Sequence, residues 1–213
     1  MVGTALSTPV AAQEATPSPD ILAQPGDTWA GLAARYGVVT AELKALNPHM
    51  NTTRQPAIGR LVVLPAGITE RTGRLIRPGG GGLTAAAAEL GLPVWELTIR
   101  NGLYSPYTPN FHQPLYMPGD GRISDLPVGV ETLELSAVPA LPGVALGLRG
   151  TTNAVGATIS AELDGLPVSF GQTDERFIGV VGTGAFYGGG EPELMVRVGE
   201  GPVWVQPWAF AER

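Results

Sequence analysis

Few residues in this chain are placed to do covalent chemistry. It has two histidines, His49 and His112, and no cysteine. A zinc site built on histidines needs two or three at short spacing, and these two are far apart. Gly79–Gly82 lacks the lysine and hydroxyl of a phosphate-cradling loop. Gly182-Thr183-Gly184 lacks the third glycine of a dinucleotide fingerprint, and no Gly-x-Ser-x-Gly elbow occurs. A carboxylate pair could cleave a glycosidic bond, and the chain has 19 acids. Those towards the C-terminus, such as Glu131, Glu134 and Glu162, fall in turns or at alternating strand positions, where a solvated charge is the ordinary reading. The expectation is a protein without catalytic residues, bound metal or cofactor. What remains is recognition chemistry, concentrated around Pro25-Gly26-Asp27-Thr28-Trp29.

The elements around that stretch can be read from the residues. Asp20–Gln24 alternates as a short strand, with Ile21 and Ala23 on one face. Pro25-Gly26 breaks it, and Asp27 is the candidate N-cap of a helix. Trp29, Leu32, Ala33 and Tyr36 recur at helical spacing, and Gly37 supplies the left-handed residue that ends the helix. Thr40 is the candidate cap of a second helix, with Glu42 at its positive end and Leu43 and Leu46 as its apolar stripe. Asn47-Pro48 stops that helix, because the residue before proline is pushed out of helical geometry. Leu61–Leu64 then reads as a strand that pairs with the first. So small a βααβ unit buries little apolar area and is marginal alone.

Pro-Gly-Asp-Thr-Trp, Leu-Ala-Ala-Arg-Tyr-Gly, Glu-Leu-Lys-Ala-Leu-Asn-Pro and Gly-Arg-Leu-Val-Val-Leu-Pro, in that order across Pro25–Pro65, resemble a LysM module. The resemblance implies a shallow groove for N-acetylglucosamine-containing glycans, between the loop after the first strand and the loop before the second. The matching positions are Gly26, Asp27 and Thr28 on one side and Asn47, Pro48, His49 and Met50 on the other. Main-chain groups in these bends would bond an acetamide, while Pro48 and Met50 would offer apolar contact. His49 is either a contact or a solvated loop residue.

A weaker copy follows. Leu75-Ile76-Arg77-Pro78-Gly79 repeats Leu22-Ala23-Gln24-Pro25-Gly26, Glu89-Leu90-Gly91 stands for Arg35-Tyr36-Gly37, and Asn101-Gly102 for Asn47-Pro48. Leu115-Tyr116-Met117-Pro118 closes it. Gly80-Gly81 replaces the Asp-Thr of the family, so the copy is expected to keep the fold with a weakened or lost sugar site. Ala85–Ala88 favours helix but offers little bulk. Tyr104, Tyr107, Phe111 and His112 lie in the following loop, either buried against a neighbour or stacked on a sugar ring.

From Glu131 onward, short apolar strands separated by glycine, proline and aspartate signals point to six or seven strands in an immunoglobulin-like β-sandwich. Asp164-Gly165 is a hairpin turn signal, and Trp204 and Trp208 are expected to anchor the last strand. The fold class is therefore α+β and all-β, multidomain. Its divisions are an arm or signal remnant (1–19), a first module (20–66), a linker (67–73), a degenerate second module (74–120), a linker (121–130) and the sandwich (131–213).

Composition narrows the partners. Residues 1–122 hold eight acids and nine bases, whereas 123–213 hold eleven acids and four bases. No basic stripe suits nucleic acid, and no apolar run is long enough to span a bilayer. Val10-Ala11-Ala12 before Gln13, followed by a Ser/Thr/Pro-rich spacer, reads as the tail of a signal peptide or as a disordered arm. Export to the cell surface or cell wall is expected. The whole order resembles the non-catalytic N-terminal half of exported lysostaphin-type cell-wall endopeptidases, whose His-x-x-x-Asp and His-x-His motifs are missing here. The expected function is non-catalytic binding of peptidoglycan or a chitin-like glycan. The alternatives are a surface protein that self-associates through its sandwich, and the targeting half of a cell-wall peptidase.

Overall fold

The computed structural model describes residues 20–77, 82–106, 114–184, 187 and 190–211. The proposed signal remnant, Pro78–Gly81 and the loop residues Tyr107, Phe111 and His112 lie outside them.

Unit 1 runs β1 (Asp20–Leu22), α1 (Trp29–Tyr36), α2 (Thr40–Leu46), β2 (Leu61–Val63). The strands pair antiparallel, Asp20 with Val63 and Leu22 with Leu61. Trp29, Leu32 and Ala33 of α1 close on Leu43, Val62 and Leu64 to make its core, with Tyr36 half-buried at the edge. Gly37 ends α1 at φ +66°, where a side chain would be strained.

Both cap expectations need correction. Thr28, not Asp27, is the N-cap of α1: its hydroxyl accepts the Gly31 N–H at 3.0 Å. The Asp27 carboxylate is drawn away to two guanidiniums. In α2 the N-cap is Val39, with no side-chain cap bond, and Thr40 is already helical. Leu46 is also not part of the core; it is 38% exposed, because α2 presents Leu43 inward and Asn47 follows four residues later on the same face.

Unit 2 repeats the order with β3 (Thr72–Ile76), α3 (Gly82–Leu90), α4 (Val94–Arg100) and β4 (Leu115–Arg122). β3 and β4 are antiparallel, Ile76 opposite Leu115 and Gly73 opposite Pro118. Its core is Leu83, Ala86, Ala87, Leu97, Leu115 and Met117, so the alanine run supplies close packing in place of bulk.

One side-chain device occurs in both units. Asn47 Nδ2 donates to Leu43 O (2.8 Å) and Val63 O (2.9 Å), and its Oδ1 accepts from Val63 N (2.8 Å). Asn101 does the same with Leu97 O (2.8 Å), Tyr116 O (2.9 Å) and Tyr116 N (2.6 Å). Each asparagine thus joins the end of the second helix to the returning strand, satisfying main-chain groups that a third strand would otherwise have to meet.

The remaining strands are β5 (Val130–Leu135), β6 (Ala145–Thr152), β7 (Ile159–Leu163), β8 (Leu166–Pro167), β9 (Ser169–Gln172), β10 (Arg176–Gly182), β11 (Glu193–Val198) and β12 (Trp204–Pro207). They form two antiparallel four-stranded sheets, β5-β6-β10-β9 and β12-β11-β7-β8. Leu133, Leu146 and Phe177 of one sheet meet Leu163, Leu194 and Val196 of the other in a single core. Among the described residues this unit has eight strands where six or seven were expected; the extra one is the two-residue β8. Asp164 (φ +50°) and Gly165 (φ +78°) turn β7 into β8 with both residues left-handed, as a tight hairpin requires. Trp208 is wholly buried, and its Nε1 donates to Ala137 O at 3.1 Å.

The units share structure. Ile58, just before β2, lies in the core of the two-sheet unit. Its N–H donates to Pro207 O (2.8 Å), and Ala209 N donates to Ile58 O (2.9 Å). Beside it, Gly59 sits at φ +87° against Pro139, where an added Cβ would come within 2.6 Å of the Pro139 Cα. Only glycine fits that approach.

Candidate functional site

The first bend follows β1 and delivers Gly26, Asp27 and Thr28 to α1. All three are buried, as is every residue from Pro25 to Trp29. Gly26 adopts φ +81°, and a Cβ there would stand 3.0 Å from both Leu126 and Ser124. Its carbonyl accepts Asp125 N at 2.8 Å. The segment after β4 therefore lies directly against the bend.

Asp27 is fully buried. Its carboxylate accepts from Gln24 N (2.8 Å), from the Arg35 guanidinium, and from Arg122 Nη2 at 2.9 and 3.1 Å. Arg35, itself buried, also donates through Nε to Ile123 O at 3.1 Å. Glu70 lies 3.9 Å from Arg35 Nε and supplies a second negative charge to the group. A charge so enclosed is tolerable only because it is paired and hydrogen-bonded on several sides. Nearby, burial, followed by the Glu70 charge, raises the Tyr36 phenol above its ordinary value.

Gln206, on β12, completes the enclosure. Its Oε1 accepts Gly26 N at 2.8 Å. Its Nε2 donates to Asp27 O and Pro56 O, both at 3.0 Å, with Gln24 O at 3.3 Å sharing a proton. Gln206 is 1% exposed. A primary amide thus occupies a pocket made wholly of main-chain groups.

The second bend is only partly enclosed. Asn47 is buried and committed to Leu43 and Val63, as described above, so both of its N–H donors and one of its two Oδ1 lone pairs are already taken. Pro48 and His49 are exposed, and His49 Nε2 lies 3.3 Å from Leu61 O. Met50 is half-buried against the unit 1 core. What faces the first bend is instead the later stretch Arg54–Gly59. Trp29 N donates to Gln55 Oε1 (3.0 Å), and Trp29 Nε1 donates to Arg54 O (2.6 Å).

The expectation of one open groove between Gly26–Thr28 and Asn47–Met50 is therefore corrected. Gly26, Asp27, Thr28 and Asn47 are interior, whereas Pro48 and His49 are exposed and Met50 is half-buried. The physical reason lies in what each polar side chain satisfies. Asp27 neutralises two arginines, Thr28 caps a helix, and Asn47 completes strand hydrogen bonding.

Sequence reasoning passed over Arg35, Ile58, Arg122 and Gln206. A signal for Gln206 was present. It lies between Trp204 and Trp208 at period two, a polar residue at the parity of two tryptophans, and so an inward position with a bonding obligation. Arg35 and Arg122 carried no comparable local sign.

Ion pairs across the boundary join unit 1 and its flank to the two-sheet unit and the segment that leads into it. Arg60 Nε meets Glu191 at 2.9 Å, and Arg54 meets Glu193. Arg77 pairs with Asp125, and that bond is the main reason its guanidinium pKa is raised further. Trp204 Nε1 donates to Asp125 O at 2.7 Å. Among the described residues, no group of three or more His, Asp or Glu side chains is placed to hold a metal ion.

Comparison with protein families gives one result: the LysM domain model matches residues 23–65. Comparisons with curated proteins and with solved structures give no match. The match begins just after β1 and covers the rest of unit 1, including both bends and the returning strand. Residues 23–65 thus match the LysM domain, a module that generally binds peptidoglycan or other N-acetylglucosamine-containing glycans.

Proposed function

We propose that this chain is a non-catalytic binder of acetamido-sugar polymers, peptidoglycan or a chitin-like glycan, acting outside the cell at the cell wall. The observation that carries this reading is the amide pocket of the LysM domain. Gly26 N–H and the carbonyls of Asp27 and Pro56 surround a carboxamide and bond both its oxygen and its nitrogen. An N-acetyl group presents the same pair, one acceptor and one N–H donor, and needs no charge. Pro48, His49 and Met50 are the members of the expected set that remain at or near the surface.

Unit 2 is read as a degenerate LysM-like module. Support comes from its βααβ order and from Asn101, which repeats the three bonds of Asn47. The last unit is read as an immunoglobulin-like sandwich. Named A to G in chain order, with β8 as C′, its strands fall into sheets A-B-E-D and G-F-C-C′. That succession of units supports a targeting and spacing role like that of the N-terminal half of a lysostaphin-type endopeptidase.

The test is co-sedimentation of the full chain with insoluble peptidoglycan, chitin and cellulose. Cellulose has the same backbone geometry as chitin without the acetamide. Retention on the first two above that on cellulose is expected. Equal retention on all three refutes acetamide recognition.

A further inference from the structure

We propose that Gln206 is an internal stand-in for the glycan, and that unit 1 is held closed by its own chain until the bend separates from β12 and from Ser124–Leu126. This inference rests on the glycan reading above and concerns how that site is controlled. Three observations carry it. The Gln206 carboxamide meets the Gly26 N–H and the Asp27 and Pro56 carbonyls, so an acetamide and Gln206 compete for the same atoms. The other side of the bend is covered too, with Asp125 N on Gly26 O and Leu126 and Ser124 in contact distance of Gly26. Finally, the closure is secured by groups that can be weakened separately. Arg54–Glu193 and Arg60–Glu191 are partly exposed, with side chains 32–48% accessible. Such pairs are screened by salt.

The position of β12 suits it to the task. It is an edge strand of its sheet, paired with β11, and at its end Pro207 O also accepts the Ile58 N–H. Its inward parity, shared with Leu194 and Val196, places Gln206 at an interior position where an apolar residue is the ordinary choice. An apolar residue there would leave Gly26 N–H and two carbonyls without partners. Opening therefore exchanges one amide for another, with the single N–H of an N-acetyl group replacing one of the two carbonyl bonds made by Gln206.

Two full-length variants test this. In Gln206→Glu, the carboxylate can accept from Gly26 N–H but faces the Asp27 and Pro56 carbonyls with no proton to donate at neutral pH. Arg54→Ala with Arg60→Ala loosens closure from the surface, where folding is not at stake. The readouts are hydrogen exchange at the Gly26 amide and titration with soluble N-acetylglucosamine tetramer. We expect at least one variant to exchange the Gly26 amide faster and to bind the tetramer about tenfold or more tightly than the wild type. Equal affinity of wild type and variants, with the Gly26 amide exchanging faster in a variant, overturns the gate and leaves the glycan reading standing. Faster exchange without binding in any form refutes the glycan reading itself. Unchanged exchange in both variants shows that neither Gln206 nor the ion pairs hold the bend closed, and overturns the proposal.

Discussion

Replacing Asn47 with alanine separates a structural role from a ligand-contact role. The side chain is fully buried and makes three hydrogen bonds of 2.8–2.9 Å, two from Nδ2 and one to Oδ1. Its loss strands Leu43 O, Val63 O and Val63 N in an interior that water reaches poorly. At about 1 kcal/mol for each net hydrogen bond, Asn47→Ala should cost about 3 kcal/mol of stability. Asn47→Asp should be at least as harmful. It keeps the acceptor for Val63 N but turns a carboxylate towards two carbonyls. Asn101→Ala should cost a similar amount, since it has the same three partners in unit 2. The two units have separate cores, so the losses should add to within about 0.5 kcal/mol. Urea unfolding followed by far-ultraviolet circular dichroism measures each variant, and glycan sedimentation below the transition measures binding by the folded form. A stability loss under about 1 kcal/mol, together with loss of glycan retention, would refute the reasoning and return Asn47 to the ligand.

Other outcomes follow from the same geometry. Asp27→Asn should destabilise by about 3–5 kcal/mol, because it leaves the buried Arg35 with only the distant, largely exposed Glu70 as counter-charge. Arg122→Ala should cost much less, as Arg122 is 44% exposed; equal losses in thermal or urea unfolding would overturn that ranking. Burial, and then Asp164, raises the Tyr187 phenol from 10.0 to about 12. The folded state therefore holds this proton more tightly than the unfolded chain. That contribution is complete below pH 10.0 and is lost as pH rises towards about 12. Unfolding of Tyr187→Phe should accordingly fall off less steeply than wild type across that window, and parallel curves would exclude the tyrosine as the cause.

The chain order of elements, the turns and the family of unit 1 were all legible in the residues. Gly37 ends α1 and Asp164-Gly165 turns β7 into β8 because φ above zero is a local demand that few residue types meet. The stripe Trp29, Leu32, Ala33 marked the buried face of α1, since helical period alone sets which residues share a side. Even the second βααβ unit could be aligned through Asn101. Local rules also misled. Asp27 and Thr28 are adjacent residues that both suit an N-cap, and only the position of Arg35 and Arg122 decides which one is free to cap.

Tertiary structure alone decided whether the Gly26–Thr28 bend is open. Gly26 and Gln206 stand 180 residues apart yet share a hydrogen bond of 2.8 Å. Ile58, read as part of one unit, is packed in the core of another. Capping, turn and periodicity preferences act over a few residues, so the sequence states them directly. Which surface a finished unit buries depends on shape and on unmet hydrogen bonds across the whole molecule, and those exist only once the units have docked.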